Sequence, residues 1–255
     1  MKIVVLMKQV PDTWGDRSLD ITTGWVDRTS DAQVIDEINE RALEVALSYK
    51  DGDKATEVIV LTMGPADVTD SVRKALAMGC DSAVHVLDDT LAGSDAAATA
   101  AMLAAALREL NADLIIAGNE STDGRGGVVP AMIAEHLGLP HLGMLGSIEV
   151  SASSVSGMRL IEEGTQSVRS TLPAVISVNE STPDARFPSF KGIMGAKKKP
   201  VARRSVAELA VSLPQASTIV VSTKVRPARS AGITIVDDGT AGDQIAAFLA
   251  ENRLI

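Results

Sequence analysis

Aromatic side chains are almost missing from this sequence: two tryptophans, one tyrosine and three phenylalanines make up 2% of 255 residues. The core must therefore be built from Val, Ile, Leu, Met and Ala, and small aliphatic side chains suit helices packed closely on a sheet. Cysteine is scarce as well. The single Cys80 excludes an internal disulfide and fits a reducing compartment. Long apolar runs are lacking, since the alanine-rich stretch Ala96 to Leu107 falls far short of the roughly 20 residues that cross a bilayer. The chain is thus not expected to span a membrane. The apolar run within Met1 to Lys8 is too short for a signal peptide and has no small-residue cleavage site, so a cytoplasmic location is expected. Positive charge is in deficit, with 24 Lys and Arg against 33 Asp and Glu and a net charge of −9. Neutralising phosphates needs the opposite balance, so nucleic acid is not an expected partner.

Catalytic signatures are missing too. There is no Gly-x-Ser-x-Gly elbow, Walker loop or Cys-x-x-Cys. His85, His136 and His141 stand without cysteines or a carboxylate cluster at ligand spacing, so no metal site is expected. Cys80, just behind a helix-ending glycine, reads as a small packed residue rather than a nucleophile. The residues therefore offer no convincing catalytic apparatus.

What is present is alternation. Ile3 to Met7, Glu57 to Thr62, Ser82 to Leu87 and Leu114 to Ala117 are short continuous apolar runs, the pattern of strands covered on both faces. Between them stand helical patterns. Asp36 to Tyr49 carries a stripe of Ile38, Ala42, Val45 and Tyr49 with a Glu37–Arg41 pair outside it. Ala66 to Met78 ends at Gly79, Ser94 is placed to cap a helix reaching Leu110, and a further helix ends at Gly138. Four βα units in a row predict an α/β, Rossmann-like fold: a mostly parallel sheet with helices on both faces. Its ligand should lie outside the carboxyl ends of the strands, at a switch in strand order. The second half is less regular. A hairpin is expected over Ser147 to Val150 and Met158 to Ile161, strands over Pro173 to Val178 and Thr218 to Val225, and a terminal helix over Asp243 to Asn252. Pro227 to Thr240 carries little core signal. Residues 1–205 read as one nucleotide-binding domain, and 206–255 as an arm that packs on a partner.

Two segments carry chemistry. The first is Ala117-Gly118-Asn119-Glu120-Ser121-Thr122-Asp123-Gly124-Arg125-Gly126-Gly127, which follows a buried strand and enters a helix with Pro130 in its first turn. Glycines there let backbone amides approach a phosphate, which a helix N-terminus also attracts. Val129 stands where a dinucleotide fingerprint needs its third glycine, and the loop follows the fourth strand, so a standard Rossmann site is rejected. An ordinary βα turn would look similar, and both readings stay open on the residues alone. The second segment, Ala185 to Ala207, holds seven basic residues and no acidic one: Arg186, Lys191, Lys197, Lys198, Lys199, Arg203 and Arg204. Phe187, Phe190, Ile193 and Met194 are interleaved with them, without helical or strand periodicity. Exposed apolar anchors with a basic rim fit a docking surface, a solvated basic face needs no explanation, and both readings stay open on the residues alone.

Leu172-Pro173-Ala174-Val175-Ile176-Ser177-Val178-Asn179-Glu180, followed by Arg186-Phe187-Pro188-Ser189-Phe190-Lys191-Gly192-Ile193-Met194 and Ala196-Lys197-Lys198-Lys199, resembles the signature of electron-transfer flavoprotein beta subunits. Val5-Leu6-Met7-Lys8-Gln9-Val10-Pro11-Asp12 is similar to that family's opening strand. Met63-Gly64-Pro65 and Arg73-Lys74-Ala75-Leu76-Ala77-Met78-Gly79-Cys80-Asp81 match as well. The resemblance implies a heterodimer with an alpha subunit that holds most of an FAD, one side of which this chain would cover. It implies a buried, structural AMP touching Leu6, Asp36, Glu37, Ile38, Asn39 and Met63. Asp123, Gly124, Arg125, Gly126, Gly127, Val128, Val129, Pro130, Ala131 and Ala134 would complete its contacts. Val10 to Thr13 would approach the flavin, and Phe187, Phe190, Lys191, Ile193 and Met194 would meet partners. Electrons would come from dehydrogenases such as acyl-CoA dehydrogenases and leave to a quinone reductase. Two departures stand out: Pro183-Asp184-Ala185 where the family often has Asn-Glu-Pro, and Gly124-Arg125-Gly126-Gly127 where many members carry more Asp, Thr and Gln. Some subtypes hold a second FAD in this place and split electron pairs from NADH, which is the alternative. A free-standing adenine-nucleotide sensor is a third reading, and it leaves the basic-apolar segment unexplained.

Overall fold

The computed structural model describes residues 1–15, 17–29, 32–211, 216–225, 227–228 and 232–255. In chain order the elements are β1 (Lys2–Leu6), β2 (Gln9–Pro11), β3 (Gln33–Ile35), α1 (Glu37–Gly52), β4 (Glu57–Met63), α2 (Thr69–Met78), β5 (Ser82–Val86) and α3 (Ala96–Leu110). They continue with β6 (Leu114–Gly118), α4 (Val129–Leu137), β7 (His141–Leu145), β8 (Ser147–Val150), β9 (Ser154–Ile161), β10 (Gly164–Thr171) and β11 (Ala174–Val178). Last come α5 (Phe190–Ala196), β12 (Val201–Arg204) and α6 (Ala241–Glu251). The described residues divide into two units, Met1–Ser222 and Thr223–Ile255.

Seven strands form one sheet in the order β12-β5-β4-β1-β6-β11-β7, and every neighbouring pair is parallel. From β1 the chain moves out through β4 to β5, then returns to β6 on the other side of β1. The switch in strand order therefore lies between β1 and β6. Alternate residues of each strand feed two cores. Ile3 and Val5 face α1 and α2 through Leu43, Leu47, Val72 and Leu76, while Val4 and Leu6 face α3 and α4 through Met102, Leu103 and Ile133. Ala100, Ala105 and Ala106 let α3 lie close on the sheet. Small side chains do here what aromatics would do in a looser packing.

Several expectations are corrected in detail. The buried face of α1 is Ile38, Asn39, Ala42, Leu43, Ala46 and Leu47, leaving Val45 and Tyr49 half-buried at its edge. Arg41 pairs with Asp184, 2.5 Å away, and not with Glu37. A 3₁₀ turn, Ala66–Val68, precedes α2. The cap of α3 is Asp95, whose carboxylate accepts from the Ala98 amide, while Ser94 donates its hydroxyl to the Leu91 carbonyl. The expected hairpin is a three-stranded antiparallel sheet, β10-β9-β8. Phe190 to Ala196 is helical, and Val201 to Arg204 is an edge strand beside β5. Thr218 to Val225 forms no strand, and its Ile219, Val221 and Val225 are exposed. Pro227 to Thr240 lies partly outside the described residues. Among the described residues no helix is long and apolar enough to cross a membrane.

Gly79 closes α2 at φ +145°, a backbone state that side chains resist, and a Cβ there would stand 3.0 Å from Leu47 Cδ2. Gly79→Ala is expected to lower the unfolding free energy by about 1–3 kcal/mol. Urea melts measure this, and an unchanged midpoint would show that the turn relaxes freely.

Candidate functional site

At the carboxyl end of the sheet, across the β1/β6 switch, lies a cavity of about 530 Å³, within the range of roughly 300–1,000 Å³ usual for small-molecule sites. Its walls are the ends of β1, β4 and β6, the loop after β6, the first turn of α4 and the loop entering α3. Of the residues expected at a nucleotide, Leu6, Asn39, Met63, Gly124, Gly126, Gly127, Val129 and Pro130 line it. Glu37, Arg125, Val128 and Ala131 are exposed outside the lining, while Ile38 and Ala134 belong to the two cores. Asp36 and Asp123 stand behind the wall and hold it.

Asp36 has no exposure. Its carboxylate accepts from the Thr122 amide at 2.6 Å, the Thr122 hydroxyl at 2.8 Å and the Ile38 amide at 3.0 Å. One side chain thereby caps α1 and fixes the glycine-rich loop to it. Beside it, the Asn39 side-chain oxygen accepts from the Lys8 amide at 2.7 Å. Gly118 is required here, because a Cβ would collide with the Asn39 side chain.

Asp123 is the second anchor. Its side chain is 1% exposed and meets the Lys8 ammonium at 2.8 Å and the Arg28 guanidinium at 2.5 Å. Burial alone would push this carboxyl up, but Lys8 and Arg28 outweigh it and hold Asp123 well below the usual carboxylate range. Arg28 also donates to the Gln9 carbonyl at 3.1 Å, and Arg17 donates to the Thr122 hydroxyl at 3.0 Å and the Pro11 carbonyl at 3.1 Å. The Trp25 ring lies against Gly93. The described part of the β2–β3 connection is thus strapped from the glycine-rich loop to the loop entering α3. Neither Lys8 nor Arg28 was an expected site residue. Lys8 directly follows an apolar strand, where ligands meet parallel sheets, so a signal for it existed. Arg28 offered none, since only the fold brings it to Asp123.

On the α3 side of the cavity, Asp95 accepts more than its cap. Its second oxygen takes the Ser217 amide at 2.7 Å and the Thr218 amide at 3.1 Å. Cys80 is fully buried, and burial pushes its thiol up to about 12, so at neutral pH it is a protonated packing group.

The basic segment forms a separate feature. Phe190 opens α5 and is 81% exposed; Phe187, Ile193, Met194 and Lys191 are exposed too. The helix is mounted on α2 by crossed caps. Arg73 of α2 donates to the Ala196 and Lys199 carbonyls at 2.8 and 3.1 Å, and Lys199 donates to the Leu76 and Cys80 carbonyls at 2.9 and 2.5 Å. Arg186 grips Glu44 of α1 with bonds of 2.7 and 2.8 Å and pairs with Asp51. Burial raises the Glu44 carboxyl, and Arg186 more than reverses that. Gly192 lets α5 approach the Ala77 carbonyl, which a Cβ would strike.

The electron transfer flavoprotein domain model matches residues 23–209, more than half of the chain. A protein of Mycobacterium tuberculosis (strain ATCC 25618 / H37Rv) named "Electron transfer flavoprotein subunit beta" is 47% identical, covering 99% of each chain. One of the same name from Megasphaera elsdenii is 32% identical over 100% of each. "Caffeyl-CoA reductase-Etf complex subunit CarD" of Acetobacterium woodii is 32% identical, covering 98% of this chain and 96% of its own.

The Asp123 anchor sets a pH dependence. A carboxyl depressed in the folded state contributes its full stability above the unfolded value of about 3.9 and loses it as pH falls toward the lower folded value. The stability gap between the native protein and Asp123→Asn should therefore be constant above about pH 5 and shrink below about pH 4. Denaturant melts across pH 3–7 test it; a gap that widened in acid would contradict the ion-pair account.

Proposed function

The chain belongs to the electron transfer flavoprotein domain family, and from that premise we propose that it serves as the beta subunit of a heterodimeric electron carrier and is not itself an enzyme. In this reading the cavity at the β1/β6 switch holds AMP as a structural ligand. An alpha subunit holds most of the FAD, and this chain covers one side of it, with Val10 to Thr13 nearest the flavin. Dehydrogenases, acyl-CoA dehydrogenases among them, dock on α5 and reduce the flavin, which then passes electrons to a quinone reductase. Residues 206–255 act as an arm on the alpha subunit. Exposed Ile219, Val221, Val225, Ile233 and Val236, with Ile245 and Phe248 on α6, supply its apolar contacts. The complex works in the cytoplasm.

One observation carries this reading. The nucleotide cavity and the exposed apolar helix sit at opposite ends of α2: Gly64, Pro65 and Val68 before its start line the cavity, and Ala77 near its end supports α5. Ten residues of helix separate them by about 15 Å. A carrier needs such a division, because its partners must dock without displacing its nucleotide. A free-standing sensor would have no use for α5. The second reading places another FAD in the cavity, oxidising NADH, and the relative named within a reductase–Etf complex keeps it in view. Co-expression with the alpha subunit, followed by release and identification of the cofactors, decides between them. One FAD with AMP per heterodimer is expected; two FAD would establish the second reading.

Two variants probe the parts separately. A Cβ at Gly126 meets nothing within 4 Å, so Gly126→Val should fold normally yet block the approach of a phosphate. Nucleotide content and heterodimer yield should both fall, and unchanged values would move the ligand elsewhere. Covering Phe190 in a complex is worth roughly 1.5–3 kcal/mol. Phe190→Ala should therefore slow reduction by dehydrogenases about tenfold or more while the melting temperature and flavin spectrum stay unchanged. Stopped-flow reduction at wild-type rates would remove α5 from the docking site.

A further inference from the structure

The hairpin inside the β2–β3 connection is built as a separate piece. Leu19 pairs with Val26 across it, the Asp20 amide donates to the Trp25 carbonyl at 2.9 Å, and the Asp27 amide donates to the Ser18 carbonyl at 3.0 Å. At its tip the Asp20 carboxylate accepts from the Thr22 and Thr23 amides at 2.8 and 2.7 Å. None of residues 17–27 is buried, so neither core holds the hairpin in place. Segments with few buried apolar contacts are the ones that open locally. Two side chains fasten it, one to each flank of the cavity. Arg17 donates to the carbonyl and the hydroxyl of Thr122 on the glycine-rich loop. On the other flank Gly93 stands at φ +79°, and a Cβ there would collide with the Trp25 ring, so the indole rests directly on the backbone of the loop entering α3. Ser121 and Gly124 line the cavity on the first flank, Gly93 and Ser94 on the second. The hairpin therefore bridges the gap between them.

We propose that residues 17–27 form a lid that lifts as one piece about Arg28 to admit and release the ligand of the cavity. The proposal rests on the nucleotide reading above and adds how the ligand enters and leaves. Each fastening ends on a group that the body of the protein already holds. Thr122 keeps both of its bonds to Asp36 when Arg17 departs. Trp25 leaves behind a glycine, which has no side chain to be stranded. Arg28 stays where it is, because its carbonyl accepts from the Gln33 side chain at 3.0 Å while its guanidinium is held by the Gln9 carbonyl and Asp123. Lifting the hairpin thus strips no buried carboxylate of its partner, a loss that would make opening costly. At the base, the Asp12 amide donates to the Ala32 carbonyl at 2.9 Å and β2 stays paired with β3, so the hinge lies beyond them.

The full chain, loaded with radiolabelled AMP and chased with unlabelled AMP, tests this. A lid lies on the path of the ligand and does not hold it, so loosening it speeds exit and entry together. Trp25→Ala and Arg17→Met should each raise the release rate and the association rate by about tenfold, leaving Kd within about threefold of wild type. Trp14→Phe makes Trp25 the one tryptophan of the chain. Adding Arg17→Met to that variant should make Trp25 emission easier to quench with acrylamide, because cutting one fastening lifts the ring from the other. Release rates unchanged in both variants would overturn the lid. Faster release without faster association would overturn it too, since the two side chains would then belong to the ligand's own hold. Unchanged quenching would show that the hairpin does not move as one piece and would also end the proposal. A wild-type chain that takes up no labelled AMP would instead overturn the nucleotide reading beneath it, while the quenching comparison still decides whether the hairpin lifts. Thermal melts accompany each variant. If Trp25→Ala does not fold, Arg17→Met, at an exposed position, carries the same comparison.

Discussion

Much of the site depends on one carboxylate that water never reaches. Asp36 is buried at the point where β1 ends, α1 begins and the loop after β6 turns back, and its three accepted hydrogen bonds tie the second and third of these together. Its own amide donates to the Lys8 carbonyl at 3.0 Å and brings in the first. A buried charge is costly unless every lone pair is used, and here donors converge from two elements far apart in sequence. The shape of the cavity follows. With the loop pinned at Thr122, Asp123 falls between Lys8 and Arg28.

How far the sequence showed this varies by element, for physical reasons. β1, β4, β5, β6 and β11 were visible because parallel strands buried on both faces must be continuously apolar. β12 was hidden because it is an edge strand of four residues that ends in Arg203 and Arg204, and charge on an edge reads as loop. β10, with Thr165, Gln166 and Ser167, was hidden by the same kind of polarity. α5 escaped notice because seven residues with two glycines make no stripe, yet the exposure of Phe190 was legible as an apolar residue without a periodic place to go. Of the site, the glycine-rich loop was plain, since backbone access demands glycine. Arg28 was not, since it meets Asp123 across 95 positions of chain.

The basic segment looked like one feature and is two. Arg186 and Lys199 are spent inward, one on Glu44 and Asp51, the other on the carbonyls of Leu76 in α2 and Cys80 just beyond it. Lys191, Lys197 and Lys198 stay exposed at the surface. A run of like charge can thus be both mortar and face, and composition alone cannot divide the roles. Here the division falls at the helix: cations flanking α5 fasten it, and those on or just behind it meet solvent.

The doubled use of Asp95 reaches further than a helix cap. The same carboxylate that starts α3 beside the cavity also receives the amides of Ser217 and Thr218, immediately before the exposed Ile219, Val220 and Val221. A chain segment tethered at its root searches a smaller volume than one that is free from its first residue, so less conformational entropy remains to be lost when something covers those side chains. The latch would thus lower the entropic cost of any contact that covers them, as a hinge pin decides where a gate can swing before anyone pushes it.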